Sequence, residues 1–457
     1  MVIRRVIIIA VVSSSLFPFW GCSQPTNVNK GKGAEIFLSF FDGDKAEQAE
    51  SLAHIEEQWQ DGFIPAIIET VYLSRDPDLY FRLITLLQEK TGKNFGYEFN
   101  DWYQWLWQQN EFKTPGYAAF KAGLYKRIDL RFETYFSQRE EQIKIRLDEV
   151  RWGGVRQDGI PPLRYPNMIA ADEAEYLDDD NVIFGIEVNG DARAYPKRIL
   201  AWHEMFVDEV GGESVAGVYC TLCGTMILYN TKHDGIDHQL GTSGFLYRSN
   251  KLMYDKATQS LWNTLQGEPV IGPLVDKGIS LEVMSVVTTT WGEWKERHPN
   301  TQVLSLITGH QRDYGEGVAY HDYFSTDELM FNTPFSDRRL KNKEEVLALR
   351  LPESPNEQLA ISAKFLLENP IYHDSIGENR FVVVTDASGG NRVYESPGIT
   401  FKDYDGKYHV TDNSGNQWKL TESHLLSPDG QRLERLPYHR AFWFGWKAAF
   451  PDTRLVK

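Results

Sequence analysis

Two of the three cysteines in this 457-residue chain fall in one short run, Tyr219-Cys220-Thr221-Leu222-Cys223-Gly224. Three chemistries fit that spacing. Two thiolates on one turn can share a metal ion, with the following glycine free to take positive φ and the turn amides facing the sulfurs. In an oxidising compartment the same pair closes a local disulfide. At the start of a helix it becomes an exchange dithiol with a lowered thiol pKa. Here Val218-Tyr219 precedes the turn and Met226-Ile227-Leu228-Tyr229 follows it. Both flanks read as strands, which favours the metal knuckle or the disulfide over dithiol exchange.

A tetrahedral ion needs more than two thiolates. His203, in Trp202-His203-Glu204, is the nearest candidate third ligand, with Glu204 as a fourth or supporting group. His310 and His321 are weaker candidates. Thiolates with imidazole suit zinc or copper. The plainer alternative makes His203 a hydrogen-bonded core residue beside Trp202 and the cysteines a disulfide. So short a disulfide loop yields little stability from loop entropy.

A second polar constellation runs from Gly241 to Trp262. Tyr247, Arg248, Asn250 and Asp255 are its candidate ligand-binding residues, and Arg248 could grip a carboxylate or phosphate bidentately. The alternative is an internal Arg248–Asp255 pair satisfying a buried turn. Arg312-Asp313-Tyr314-Gly315 is also unusual. The closing Tyr438-His439-Arg440-Ala441-Phe442-Trp443-Phe444-Gly445-Trp446 reads as an aromatic core wedge, with His439 or Arg440 as further site candidates. No lipase elbow, Walker loop, HExxH helix or Rossmann glycine pattern stands in a convincing context, so no nucleotide cofactor is expected.

The elements that must position these groups divide the chain. Met1-Val2-Ile3-Arg4-Arg5 followed by an apolar run from Val6 to Trp20 reads as an export signal over residues 1–21. Gly21-Cys22 at its end matches the lipoprotein pattern, in which Cys22 is acylated. Ser23 after it resembles proteins sorted to the outer membrane. Residues 22–33 form a polar tether. Residues 34–150 show helical spacing, as in Ile55, Trp59, Phe63, Ile67 and Ile68, and Asp76-Pro77 marks a helix start. From residue 151 short β-rich runs take over. Val182 to Val188 and Ala192 to Tyr195 flank an Asn189-Gly190 hairpin turn. Ile199 to Val207 reads as a short helix, Trp291 to His298 as another, and Ser325 to Pro355 as a charged surface excursion. No internal repeat of fixed period is expected. The fold class is α+β: a helical N-terminal domain (34–150), then a larger mixed, mostly antiparallel β-rich domain (151–457).

The net charge of −16 leaves no basic stripe for nucleic acid. The partners expected are a membrane, through the lipid anchor, and an envelope protein or small ligand. The leading expectation is an exported lipoprotein with a metal or redox site of Cys220, Cys223, His203 and Glu204. The alternative is a non-enzymatic envelope binding or scaffold protein with a structural Cys220–Cys223 disulfide. A thiol-disulfide oxidoreductase ranks third.

Several motifs, in order, resemble those of the DUF 3179 family. They are Asp158-Gly159-Ile160-Pro161-Pro162, Asn189-Gly190-Asp191-Ala192-Arg193-Ala194-Tyr195-Pro196, Trp202-His203-Glu204, the cysteine run, Gly244-Phe245-Leu246-Tyr247-Arg248-Ser249-Asn250, Met253-Tyr254-Asp255 and Ser260-Leu261-Trp262. The resemblance covers about residue 150 to the end. It implies membership and carries no reaction. Thr221 stands where the family usually has proline, and Arg248 where it has asparagine, which weakens a ligand role for Arg248.

Overall fold

The computed structural model describes residues 33–457. The export signal, Cys22 and nearly all of the tether lie outside the described residues. The fold is α+β, a helical N-terminal part followed by a larger, mostly antiparallel β-rich part. No helix among the described residues is long and apolar enough to cross a membrane.

The helical part obeys its local signals. Asp44 caps Lys45–Glu57 through a capping box. Asp76 caps Pro77–Thr91 by accepting from the Asp78 and Leu79 amides at 3.0 and 3.2 Å, and left-handed Gly92 ends that helix. The helical core does not close on itself. Ile67, Leu83, Trp102 and Phe120 belong to the same apolar cluster as Phe245, Tyr254 and Ile271 of the neighbouring five-stranded sheet. Inside it, Lys121 pairs with Glu69 at 2.5 Å, and the Tyr117 and Tyr125 hydroxyls donate to the same carboxylate. The charged groups are thus partnered, as burial demands.

The β-rich part contains one arrangement twice. In the first copy, an antiparallel hairpin (Val182–Val188, Asp191–Pro196) leads into the helix Lys197–His203. The strand Val287–Thr290 later returns antiparallel to the first hairpin strand, the helix Trp291–Arg297 follows, and Gln302–Leu304 runs parallel to the second hairpin strand. In the second copy the hairpin is Glu345–Arg350 with Gln358–Ser362, and the helix is Ala363–Glu368. The returning strand is His439–Phe442, the next helix Trp443–Ala449, and the last strand Arg454–Val456, with the same pairing senses. Side chains repeat as well. Trp294 Nε1 donates to Thr301 Oγ1 at 3.0 Å, and Trp446 Nε1 to Thr453 Oγ1 at 2.9 Å.

This duplication corrects two sequence expectations. There is an internal repeat, masked because insertions of unequal content separate its parts. The presumed charged excursion 325–355 also contains the buried strand Glu345–Arg350, whose core Val346-Leu347-Ala348-Leu349 is flanked by charge. The helix expected over Ile199 to Val207 stops at His203. Glu204 takes the left-handed conformation (φ 55°) and a strand begins at Met205. The Asn189-Gly190 turn forms as expected, with both residues at positive φ.

Each copy carries a three-stranded antiparallel insertion after its first helix. In the first copy this is Met205–Val210, Glu213–Cys220 and Thr225–Asn230, so the cysteine turn is the second hairpin tip of that insertion. In the second copy it is Ile371–Ile376, Asn379–Thr385 and Asn391–Glu395, and the turn in the equivalent place is Asp386–Gly390.

Candidate functional site

The two equivalent turns are closed by different chemistry. Cys220 and Cys223 form a disulfide, with Cα atoms 5.5 Å apart. The Asp386 carboxylate closes the other turn. Its Oδ1 accepts from the Ser388 amide at 3.0 Å and the Gly390 amide at 2.9 Å, and Oδ2 pairs with Arg392 at 2.8 Å.

The disulfide is sealed. Cys220 and Cys223 are 2% and 1% exposed and pack with Phe442 and Phe444, with Phe324 and Leu329 against them. The Phe442 amide donates to the Cys223 carbonyl at 2.8 Å, and the Tyr323 hydroxyl donates to the Leu222 carbonyl at 2.7 Å. Two glycines permit this closeness. A Cβ on Gly224, which has φ 59°, would sit 2.8 Å from the Phe442 ring. One on Gly445 would sit 2.8 Å from the Cys223 Cβ.

The expected metal ligands are neighbours in backbone but not in function. The Tyr219 amide donates to the Glu204 carbonyl at 2.9 Å, so Trp202-His203-Glu204 does lie beside the cysteine turn. Yet His203 Nδ1 faces the Pro161 carbonyl at 2.9 Å and Nε2 the Tyr314 hydroxyl at 2.6 Å. Burial holds the imidazole neutral, its pKa lowered to about 4. Glu204 pairs with buried Lys251 at 2.9 Å. As arranged here, with the sulfurs bonded to each other, both imidazole nitrogens engaged and the carboxylate paired, these four do not make a donor set for zinc or copper. Among the described residues no group of three or more His, Cys, Asp or Glu side chains is placed to hold an ion.

The second constellation also turns inward instead of lining a cleft. Arg248 pairs with Glu149 at 2.6 Å, not with Asp255, and donates to the Ala448 carbonyl at 3.3 Å. Tyr247 shares the same Glu149. Asn250 Nδ2 donates to the Gly445 carbonyl at 3.0 Å. Asp255 caps its own turn, accepting from the Ala257 and Thr258 amides at 2.9 and 2.8 Å. Tyr247, Arg248 and Asn250 thus fasten the helical part to the sheet and to the last helix.

A different set of polar groups does converge. A half-open cavity of about 120 Å³ lies where the two copies meet, walled by Gly224 of the cysteine turn and by Ser388 and Gly389 of its counterpart. Lys197, Tyr219, Thr289, Glu345 and Arg440 face it, with Phe184 and Phe442 as apolar walls. Arg440 pairs with Glu345 at 2.5 Å and donates to the Gly389 carbonyl at 3.1 Å. Arg440, and more weakly Lys197, hold the Glu345 carboxyl below its ordinary range against the opposing effect of burial. Thr289 Oγ1 and Ser388 Oγ lie 2.7 Å apart, bridging the copies. Burial pushes the Tyr219 hydroxyl far above its usual pKa, so it keeps its proton. Sequence reasoning reached Arg440 only as a candidate and missed Lys197, Tyr219 and Glu345. The signal that exposes them is the recurrence of Trp291-x-x-Trp294-Lys295 with Pro299-Asn300-Thr301 as Trp443-x-x-Trp446-Lys447 with Pro451-Asp452-Thr453. It marks the duplication, and so the junction.

No curated protein matches the chain, and no solved structure matches it. A family profile described as a protein of unknown function, DUF3179, matches residues 157–453, a span that holds the first copy, the second copy up to its last strand, and the cavity between them. The chain therefore belongs to the DUF3179 family.

Proposed function

We propose that this protein is an exported, lipid-anchored binding protein of the cell envelope, with its ligand site in the cavity between the two copies. One observation carries the reading: two topologically equivalent turns, one closed by a disulfide and one by Asp386, wall the same cavity. If a carboxylate does for one turn what the disulfide does for the other, the disulfide serves to hold shape. Charged side chains from both copies then give that shape a purpose, since ligand sites favour junctions with a few converging polar groups. The lipid anchor at Cys22 would hold the site at the membrane, on the outer membrane if Ser23 directs sorting.

The metal reading is the weaker one here, because its four residues are already engaged with other partners. Thiol-disulfide exchange is weaker too, because an attacking thiolate must reach a sulfur and these are sealed. The test is a thermal-shift screen of small polar solutes against the mature protein and a Thr289→Phe variant that fills the cavity. Solutes that raise the unfolding temperature of the wild type but not of the filled variant support the reading. If every stabilising solute acts equally on both, the cavity is not the site.

A further inference from the structure

We infer that the cavity, taken as the ligand site proposed above, is built for a small monoanion of the carboxylate or bicarbonate type. The inference rests on that proposal and specifies its ligand.

Two cations, Lys197 and Arg440, face the cavity with one carboxylate, Glu345. Arg440 and Glu345 neutralise each other at 2.5 Å. Among the described residues Lys197 makes no ion pair or hydrogen bond, and its Nζ lies 4.9 Å over the Phe324 ring. One positive charge is left over at a half-open pocket, on a side chain that solvent reaches only in part.

Tyr219 lines the cavity, and among the described residues no side-chain or backbone group is hydrogen-bonded to its hydroxyl. Arg440 Nε is buried and likewise unpartnered. Buried polar groups are nearly always satisfied, so an orphan in a cavity wall asks for a partner inside the cavity. Tyr219, Arg440 and the Lys197 ammonium all have donors to offer, and an arginine or ammonium has nothing but donors. A site rich in unspent donors selects an acceptor, and an oxyanion is the strongest one.

About 120 Å³ is well below the roughly 300–1,000 Å³ of sites for drug-sized ligands, so the occupant has only a few non-hydrogen atoms. A single surplus charge matches a monoanion and leaves a dianion half compensated.

Calorimetric titration of the mature protein tests this with formate, acetate and bicarbonate, against chloride at constant ionic strength. Acetamide serves as the neutral isostere of acetate, and inorganic phosphate at pH 8 as the dianion. The expected result is binding of at least one monoanion. Acetamide binds at least tenfold more weakly, and Tyr219→Phe and Lys197→Gln each weaken the anion tenfold or more. Tyr219→Phe removes only an unbonded hydroxyl, so it remains informative if Lys197→Gln does not fold. Acetamide binding as tightly as acetate, with the same dependence on Tyr219, overturns the anion while leaving the ligand site standing. Binding of phosphate alone overturns the monoanion. Binding of nothing, or binding indifferent to both variants, overturns this inference, and the solute screen with Thr289→Phe then decides separately whether the cavity is a ligand site.

Discussion

The amide of Phe442 donates to the carbonyl of Cys223 across 2.8 Å. That bond ties the returning strand of the second copy to the cysteine turn of the first. Gly445, three residues on, passes so close to the Cys223 Cβ that its own missing side chain is what allows the contact. The disulfide, the last helix and the cavity wall at Gly224 and Phe442 are therefore one packed unit, and a change in any of them reaches the others.

Gly445→Ala tests the tightness of that unit. In an open helix, glycine to alanine stabilises by about 0.5–1 kcal/mol. Here the new methyl would stand 2.8 Å from the Cys223 Cβ. Overpacking of this kind costs about 1–3 kcal/mol, so the sign reverses. Urea unfolding of the variant is expected to show net destabilisation, and a gain in stability would mean that the turn yields easily.

Removing the disulfide by Cys220→Ala with Cys223→Ala is expected to cost no more than about 2 kcal/mol, the bottom of the disulfide range because so small a ring removes little loop entropy, with the fold kept. The buried sulfurs also predict slow reduction. Thiol titration in dithiothreitol without denaturant should release thiols only as fast as the region opens. Release within seconds would contradict the sealed turn and restore the exchange reading.

Local features were legible in the sequence because local physics decides them. Asn189-Gly190 specifies its hairpin, and Asp76-Pro77 its helix start, whatever the rest of the chain does. The candidate site was legible only in part. The cysteine pair was visible, but the three ways it can act differ in tertiary surroundings. His203 sits close to the thiols in sequence, and a single left-handed residue, Glu204, sets where the chain goes next. The imidazole ends on Pro161 and Tyr314 instead. Lys197, Tyr219, Glu345 and Arg440 come from four separate elements, and only the duplicated topology brings them to one cavity.

His203 gives a pH dependence with a definite sign. Its folded pKa, about 4, lies below the ordinary 6.5. Between these values the unfolded chain binds the proton more readily, so stability rises with pH across that window. The contribution is present above about pH 6.5 and is lost as pH falls to about 4. His439, lowered to about 3 by burial, acts in the same direction. A His203→Gln variant should show a flatter acid limb in unfolding free energy against pH between 4 and 6.5. An unchanged limb would remove His203 as its source.

The anchor makes a prediction in cells. If Cys22 is acylated, the wild-type chain takes up labelled palmitate and partitions with membranes. Cys22→Ala then abolishes labelling and leaves the chain with its signal uncleaved or in the soluble fraction. Membrane partitioning of wild type without label would point to an uncleaved signal as the anchor.

The duplication predicts matched costs at matched positions. Trp294 donates to Thr301 and Trp446 to Thr453, at 3.0 and 2.9 Å, and all four side chains are buried. Replacing either threonine by valine preserves shape and strands a buried indole N–H. That penalty is about 1–3 kcal/mol. Because each threonine lies just before the last strand of its copy, Thr301→Val and Thr453→Val should destabilise by similar amounts in urea unfolding. The double variant should give their sum, since distant sites add within about 0.5 kcal/mol. Strongly unequal costs would mean that the two copies, though alike in topology, do not carry equal shares of the fold. A double-variant cost well short of the sum would instead mean that the copies unfold through one another, as the shared turn at Cys223 and Phe442 allows.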